Sequence, residues 1–404
     1  MNMSLRGQKK KILVLSGPLG HGHIQTAKSI LEASQYLRGE VEVHVMDYME
    51  LTSPHLYQVG AFCYMQCIKT FPGVYGYFYH KTRRQNVISK AIKAVSGMSL
   101  RALEDAVWEV NPSIIVSTFP PAAAAVSKLK ASGSIDCPTV TVITDHTDHS
   151  YWLNPYTDRY LVSSAKVAQA LMAQGVGKSR IEVTGIPVRP IFYKKYDKIE
   201  LRKKHGLDVS KLTVLVMGGG WGMIHPSFVR FLQQEQWKDR VQFVIVCGQN
   251  EKLREKLERI AEQSEVTTIV HGYVEQIHEW MACADLMITK PGGISTTEAT
   301  IQQLPLLLYK ALPGQEEDNV HYLVESGVAI YAPSEDELKE KFTYLLSHPE
   351  VLSGMKKRAE ATEFQHSPYS ALSAILNVSN QTASMETTRK SWKSWYRSKA
   401  RESV

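Results

Sequence analysis

The sequence predicts an α/β protein of two similar halves, each an open, mostly parallel sheet covered by helices, facing one another across a central cleft. Three observations carry this expectation. The 404 residues exceed one ordinary core and suit two domains of roughly 180 to 200 residues. Apolar runs of strand length alternate with longer helical segments along the chain. Two glycine-rich turns, about two hundred residues apart, each follow such a run and open a helix-like segment.

The first strand series falls at 11–16, 41–46, 113–117, 138–144, 159–163 and 180–184. Its opening run ends in Gly17-Pro-Leu-Gly-His-Gly-His23. A strand that ends in glycines and feeds a helix sets backbone amides and a helix dipole against a phosphate. Gly185-Ile-Pro-Val-Arg-Pro-Ile-Phe192 and the charged residues after it read as a linker, which places a boundary near residue 190. The expected domains are therefore 1–190 and 191–378. The second series falls at 212–217, 241–247, 267–270, 284–289, 305–309 and 328–331, with Met217-Gly-Gly-Gly-Trp-Gly222 after its first strand. A tail over 379–404, polar and then basic and aromatic, is expected to be loosely ordered.

The composition, 44% apolar and 22% charged, is that of a soluble globular protein. No run of about 18 uncharged apolar residues occurs, so no membrane-spanning helix is expected. The N-terminus lacks a cleavable leader pattern, and the chain reads as cytoplasmic. Five cysteines without CxxC spacing argue against disulfide and zinc frameworks. The net charge of +7 is unevenly placed. From Leu51 to Arg101 there is no acidic residue, while Lys69, Lys81, Arg83, Arg84, Lys90, Lys93 and Arg101 supply cations. Such a block attracts nucleic acid, anionic lipid or an acidic substrate.

The first glycine turn departs from the dinucleotide fingerprint, because GxGxxG has no place for His21 and His23 beside its glycines. A histidine at a strand-to-helix turn lies at the mouth of the sheet and can take a proton from an alcohol near neutral pH. In the second half, Thr289-Lys-Pro-Gly-Gly-Ile-Ser-Thr-Thr-Glu-Ala299 follows a strand and opens a helix. Gly292, Gly293 and Ser295 can bring N–H groups to a diphosphate, and Glu298 can accept two hydrogen bonds from a ribose diol. Pro313-Gly-Gln-Glu-Glu-Asp-Asn319, again after a strand, offers groups for sugar hydroxyls.

With these motifs in order, the chain resembles the UDP-sugar-dependent lipid glycosyltransferases that include processive diacylglycerol glucosyltransferases and monogalactosyldiacylglycerol synthases. More distantly, it resembles the N-acetylglucosaminyltransferase of peptidoglycan lipid assembly. The resemblance spans roughly residues 10–375 and also rests on Val142-Ile-Thr-Asp145-His-Thr-Asp-His149-Ser-Tyr-Trp152 and Gly185-Ile-Pro-Val188. It implies two Rossmann-like domains of the GT-B type. It further implies an inverting transfer of a hexose, without metal or added cofactor, from a UDP-sugar on the second domain to a lipid hydroxyl, expected to be that of diacylglycerol, on the first.

By the same resemblance, His23 is the expected base or acceptor-positioning residue, with Asp145 and His149 as further candidates. Gly219, Gly220, Gly292 and Gly293 are expected at the diphosphate, with Ser295 beside them. Glu298 is expected at the ribose, and Gln315, Glu316 and Asn319 on the donor sugar. His21 stands where relatives usually show Gly or Asn, and the 217–222 loop is richer in glycine than usual.

The acid-free stretch then reads as a surface for lipid acceptor and anionic membrane, through Phe62, Tyr64, Met65, Phe71, Tyr75, Lys81, Arg83 and Arg84. The expected place of action is the inner face of the cell membrane, peripherally bound. A UDP-N-acetylglucosamine 2-epimerase shares the architecture but needs no membrane-facing block. A UDP-sugar sensor would do without His23 and Glu298 chemistry, yet both are present. No nucleic-acid-binding module is found, so nucleic acid is not an expected partner.

Overall fold

The computed structural model describes residues 9–18, 21–37, 39–52, 70–86, 89, 100–219, 224, 226–361 and 364–378. Phe62, Tyr64, Met65, Gly220 and the 379–404 tail lie outside the described residues. All twelve expected runs are strands: β1 Lys10–Ser16, β2 Val41–Asp47, β3 Ile114–Ser117, β4 Thr139–Val142, β5 Arg159–Val162, β6 Ile181–Val183, then β7 Leu212–Met217, β8 Val241–Val246, β9 Thr268–His271, β10 Leu286–Thr289, β11 Leu306–Tyr309 and β12 Ala329–Ala332. They form two six-stranded sheets, ordered β2-β1-β3-β4-β5-β6 and β12-β11-β10-β7-β8-β9. Every pairing is parallel.

The central strands are mostly apolar because helices cover both faces of each sheet, while the edge strands β2, β6 and β9 carry polar residues and are only partly buried. In β1, Ile12 and Val14 pack on one side with Ile30, while Leu13 and Leu15 pack on the other with Leu103 and Val107. The five helices that bear on the site are α1 His21–Ser34, α2 Pro72–Thr82, α3 Gly293–Ile301, α4 Gln315–Glu325 and α5 Ser370–Leu376. Strand order reverses between β1 and β3 in the first sheet, and between β7 and β10 in the second. Ligands of open α/β sheets bind at the carboxyl ends of strands at such a reversal.

The chain crosses between the halves twice. After β6 it passes through Gly185 toward the second sheet, and after the last helices of the second half it returns. Ala371, Leu372, Ala374 and Ile375 of α5 are buried with Ile12, Val14 and Ile30, so the final helix of the segment expected to be the second domain completes the core of the first. The crossings touch: Gly185 has φ +72 and no room for a Cβ beside the His366 ring. Among the described residues no helix is long and apolar enough to cross a membrane.

Candidate active site

The carboxyl ends of the two sheets enclose a cavity of about 240 Å³. The first half contributes Gly22 and His23 from α1 together with Thr144 and Asp145 after β4. The second contributes Gly219, Lys290, Gly292, Gly293, Ser295 and Glu298, then Gln315 and Glu316 at the start of α4. Arg189, from the first crossing, also lines it.

His23 is fixed by its own turn. Thr118 Oγ1 donates to the His23 carbonyl at 3.1 Å, and the ring stands edge-on to Phe119 with centroids 5.2 Å apart. Burial lowers the imidazole pKa to about 4, outweighing the opposing effect of the ring's hydrogen bond with the Thr118 backbone, so the ring is neutral near pH 7. His23 Nδ1 lies 3.3 Å from Thr144 Oγ1, which in turn lies 3.5 Å from Asp145 Oδ2. One hydroxyl therefore stands between two candidate proton acceptors. Burial, reinforced by the negative charges of Glu316 and Asp318, raises the Asp145 pKa to about 6 against the opposing pull of the Asn319 hydrogen bond and the Lys290 charge.

The opposite wall is built for an anion. Gly292 caps α3 with no atom within 4 Å of where a Cβ would stand, and its neighbour Gly293 begins the helix at the positive end of the dipole. Gly219 favours glycine because its φ is +69, and a Cβ would come 2.8 Å from Lys290 Cε, near the movable end of that side chain. Lys290 Nζ pairs with Glu316 Oε1 at 2.7 Å, and Glu316 Oε2 accepts from the Leu312 amide at 2.9 Å. Tyr75 donates its hydroxyl to Gln315 Oε1 at 2.7 Å. Glu298 is buried without a hydrogen-bond partner among the described residues, and burial pushes its pKa up to about 8 against the nearby Arg189 charge.

Several expected site residues face elsewhere. His149 does not line the cavity; it is buried against α2 and sits between the tilted rings of Tyr79 and Tyr151, with centroids 4.2 Å from each. Its Nδ1 accepts from the Tyr151 amide at 3.2 Å, so Nε2 carries the proton and donates to the Tyr79 carbonyl at 2.9 Å. Both nitrogens are spent on structure. Asn319 faces no ligand space: Nδ2 donates to Asp145 Oδ1 and to the Pro291 carbonyl, each at 2.9 Å, and Oδ1 accepts from the His146 amide at 2.8 Å.

Tyr75 and Arg83, expected on the membrane side, point into the second half. Arg83 pairs with Asp318 at 2.8 Å and Asp148 at 2.6 Å, and Tyr79 donates to Asp318 Oδ2 at 2.9 Å. Gly76 lets α2 approach Pro313, whose Cβ would lie 2.6 Å from an added Cβ. The remaining face of α2 and its flanks carries exposed Phe71 (59%), Val74, Tyr77 (61%), Phe78 (50%), Lys81 and Arg84.

Thr144, Arg189 and Lys290 are among the cavity residues that escape the sequence reading. Thr144 sits inside the quoted Val142–Trp152 motif, where its place directly before Asp145 at a strand end was the available signal. Arg189 lies in the stretch whose composition reads as linker, although it follows the Gly185-Ile-Pro-Val motif; its Nε donates to Glu32 Oε1 at 2.7 Å. Lys290 carries no signal of its own within its motif.

The family model described as monogalactosyldiacylglycerol synthase matches residues 23–188, and that described as glycosyl transferases group 1 matches residues 226–362. A processive diacylglycerol β-glucosyltransferase of Bacillus pumilus is 33% identical over 378 residues, covering 92% of this chain and 96% of its own. Its Bacillus subtilis counterpart is 33% identical over 377 residues, with the same coverage. Among solved structures, Acinetobacter baumannii MurG is similar with a TM-score of 0.60 at 13% identity, covering 92% of this chain and all (100%) of its own. The UDP-GlcNAc 2-epimerase of Neisseria meningitidis, bound to UDP-GlcNAc, gives 0.58 at 14% identity, covering 91% and 99%. Likeness at such identity establishes the fold, two Rossmann-like domains in the GT-B arrangement.

Proposed function

The chain belongs to the family of the processive diacylglycerol β-glucosyltransferases and is a glycosyltransferase, and from that premise we propose that it moves a hexose from a UDP-sugar to the hydroxyl of diacylglycerol, with inversion. The observation that carries the reading is the two-walled cavity, with proton acceptors on one side and a glycine-opened helix N-terminus on the other.

The donor's diphosphate lies against the start of α3, at Gly292, Gly293 and Ser295, with the Gly219 turn beside it. Amides and the helix dipole meet the charge that develops as UDP leaves. Glu298 accepts hydrogen bonds from the ribose diol, and Gln315 and Glu316 bind the sugar hydroxyls. His23 Nε2 takes the proton of the attacking hydroxyl. The oxygen forms its bond to the anomeric carbon as the bond from that carbon to the phosphate oxygen breaks, and the electron pair leaves with UDP. For Nε2 to be bare, Nδ1 must carry the proton and donate to Thr144 Oγ1; the Thr144 hydroxyl then donates to Asp145, whose charge stabilises the imidazolium. No cofactor beyond the donor enters the proposal.

The acceptor arrives from a lipid surface held by the exposed face of α2. Phe71, Tyr77 and Phe78 enter the headgroup region while Lys81 and Arg84 meet anionic lipid, which keeps the enzyme peripheral. The test is transfer of label from a panel of UDP-sugars to vesicles of diacylglycerol and anionic lipid. Labelled lipid is expected, with His23→Ala slowing transfer by about 10²- to 10⁴-fold while UDP still binds. Label that stays in water, or a donor that returns epimerised, would overturn the reading.

A further inference from the structure

Asn319 is fully buried (0% exposed) on the second-half helix α4, one turn after Gln315 and Glu316, yet its amide reaches across the cleft. Its Nδ2 serves two acceptors, Asp145 Oδ1 on the first half and the Pro291 carbonyl on its own half, while its Oδ1 takes the His146 amide. A planar side chain with a donor at one corner and an acceptor at the other is what this junction requires. Leucine would leave a carboxylate oxygen, an amide and a carbonyl without partners, and aspartate would set one carboxylate against another.

We infer that Asn319 is a positioning residue for the transfer, acting through Asp145: it holds Oδ1 from the donor side of the cleft so that Oδ2 is left to Thr144 and, through it, to His23. The inference rests on the proposed role of His23 and Asp145. It goes further in making the proton acceptor of the first half complete only when the donor half is docked against it. The charged and titratable groups facing Asp145 are Glu316 and Asp318 from α4, Lys290 before α3, Tyr79 from α2, and His23 beyond Thr144. Glu316 is paired with Lys290, and Asp318 with Arg83. Asn319 is the neutral donor among them, and its hydrogen bond favours the ionised Asp145.

The experiment measures kcat and KM for lipid transfer against pH, with UDP affinity measured separately, on the full chain carrying Asn319→Leu, Asn319→Asp, Asp145→Asn and the pair Asn319→Leu with Asp145→Asn. For Asn319→Leu the acid limb of kcat is expected to move to higher pH by about one unit. Its kcat near pH 7 is expected to fall about 10- to 100-fold, with UDP affinity within about threefold of the parent. Asn319→Asp, of the same shape, should move the limb further and provides the reading if the leucine variant does not fold. In the double variant the losses should not add, because both changes remove one unit. An unmoved limb, additive losses, or a loss confined to UDP affinity would make Asn319 a merely structural residue and sink the inference. If instead neither His23→Ala nor Asp145→Asn slows transfer, the proposed mechanism itself fails, a result that the Asn319 variants alone do not produce.

Discussion

A side chain at Gly293 would occupy space already held by the carbonyl oxygen of Thr144. The start of the second-half helix α3 therefore rests directly on the segment that follows β4 of the first half, and glycine sets how closely the two walls approach. Gly293→Ala is expected to hold the halves apart and lower kcat about 100-fold while the circular dichroism of the fold is retained. Gly292→Ala, whose Cβ meets no protein atom, should instead weaken UDP binding. Titration calorimetry and steady-state kinetics separate the two effects.

The rate should depend on pH through Asp145. Asp145 stabilises the imidazolium only when its carboxyl is ionised, so activity should rise with pH through about 6, where that carboxyl titrates, and fall about tenfold per unit below it. His23, lowered to about 4 by burial, contributes only at still lower pH. Asp145→Asn should abolish the limb near 6 and leave a slower enzyme; a limb that stays in place would assign it to another group.

If Glu298 holds the donor ribose as proposed, donor binding is expected to be linked to protons. The Glu298 carboxyl is raised to about 8 from the ordinary 4.5, so the folded protein keeps a proton that the unfolded chain has released between those values. Stability of the unliganded protein should therefore decline as pH rises through that window, by up to about 1.4 kcal/mol per unit, and Glu298→Gln should remove the slope. A ribose diol donating to Glu298 favours the charged carboxylate. UDP binding at pH 7 should then release a proton, seen as calorimetric heats that vary with the buffer's ionisation enthalpy and vanish for the glutamine variant.

The two faces of α2 should separate in function. Lys81→Ala and Arg84→Ala are each expected to weaken binding to anionic vesicles by about 1 kcal/mol, and Phe71, Tyr77 and Phe78 changed to serine should weaken it further with UDP affinity unchanged. Arg83→Ala should leave vesicle binding alone and lower thermal stability and transfer, since its guanidinium serves Asp318 and Asp148. Vesicle sedimentation and thermal melts decide the matter.

That division of α2 shows where the sequence stops being legible. Strands buried on both faces are apolar runs whatever their partners, and the partly buried edge strands β2, β6 and β9 still keep enough valine and isoleucine between polar residues to be placed from residue type. Glycines before a helix are similarly legible, because only backbone approach demands them. In α2, by contrast, Tyr75 and Tyr79 on the clamping face and Tyr77 and Phe78 on the open face are alike in chemistry, so pattern could not say which pair met protein. Asn319 and His149 are legible as polar residues beside a cleft, but all of Asn319's hydrogen bonds, and the His149 bond to the Tyr79 carbonyl, go to groups brought together only by tertiary contact.

The packing of α5 inverts the order in which the halves are finished during synthesis. Residues 370–376 leave the ribosome after the entire second half, yet Leu372 and Ile375 fill the core around Ile12 and Val14 of the very first strand. The amino-terminal sheet must wait, with one flank open, while the carboxyl-terminal sheet emerges and folds. Truncation before residue 370 would thus injure the part of the molecule farthest from the cut in sequence, exposing the apolar side of β1 on the nascent or shortened chain.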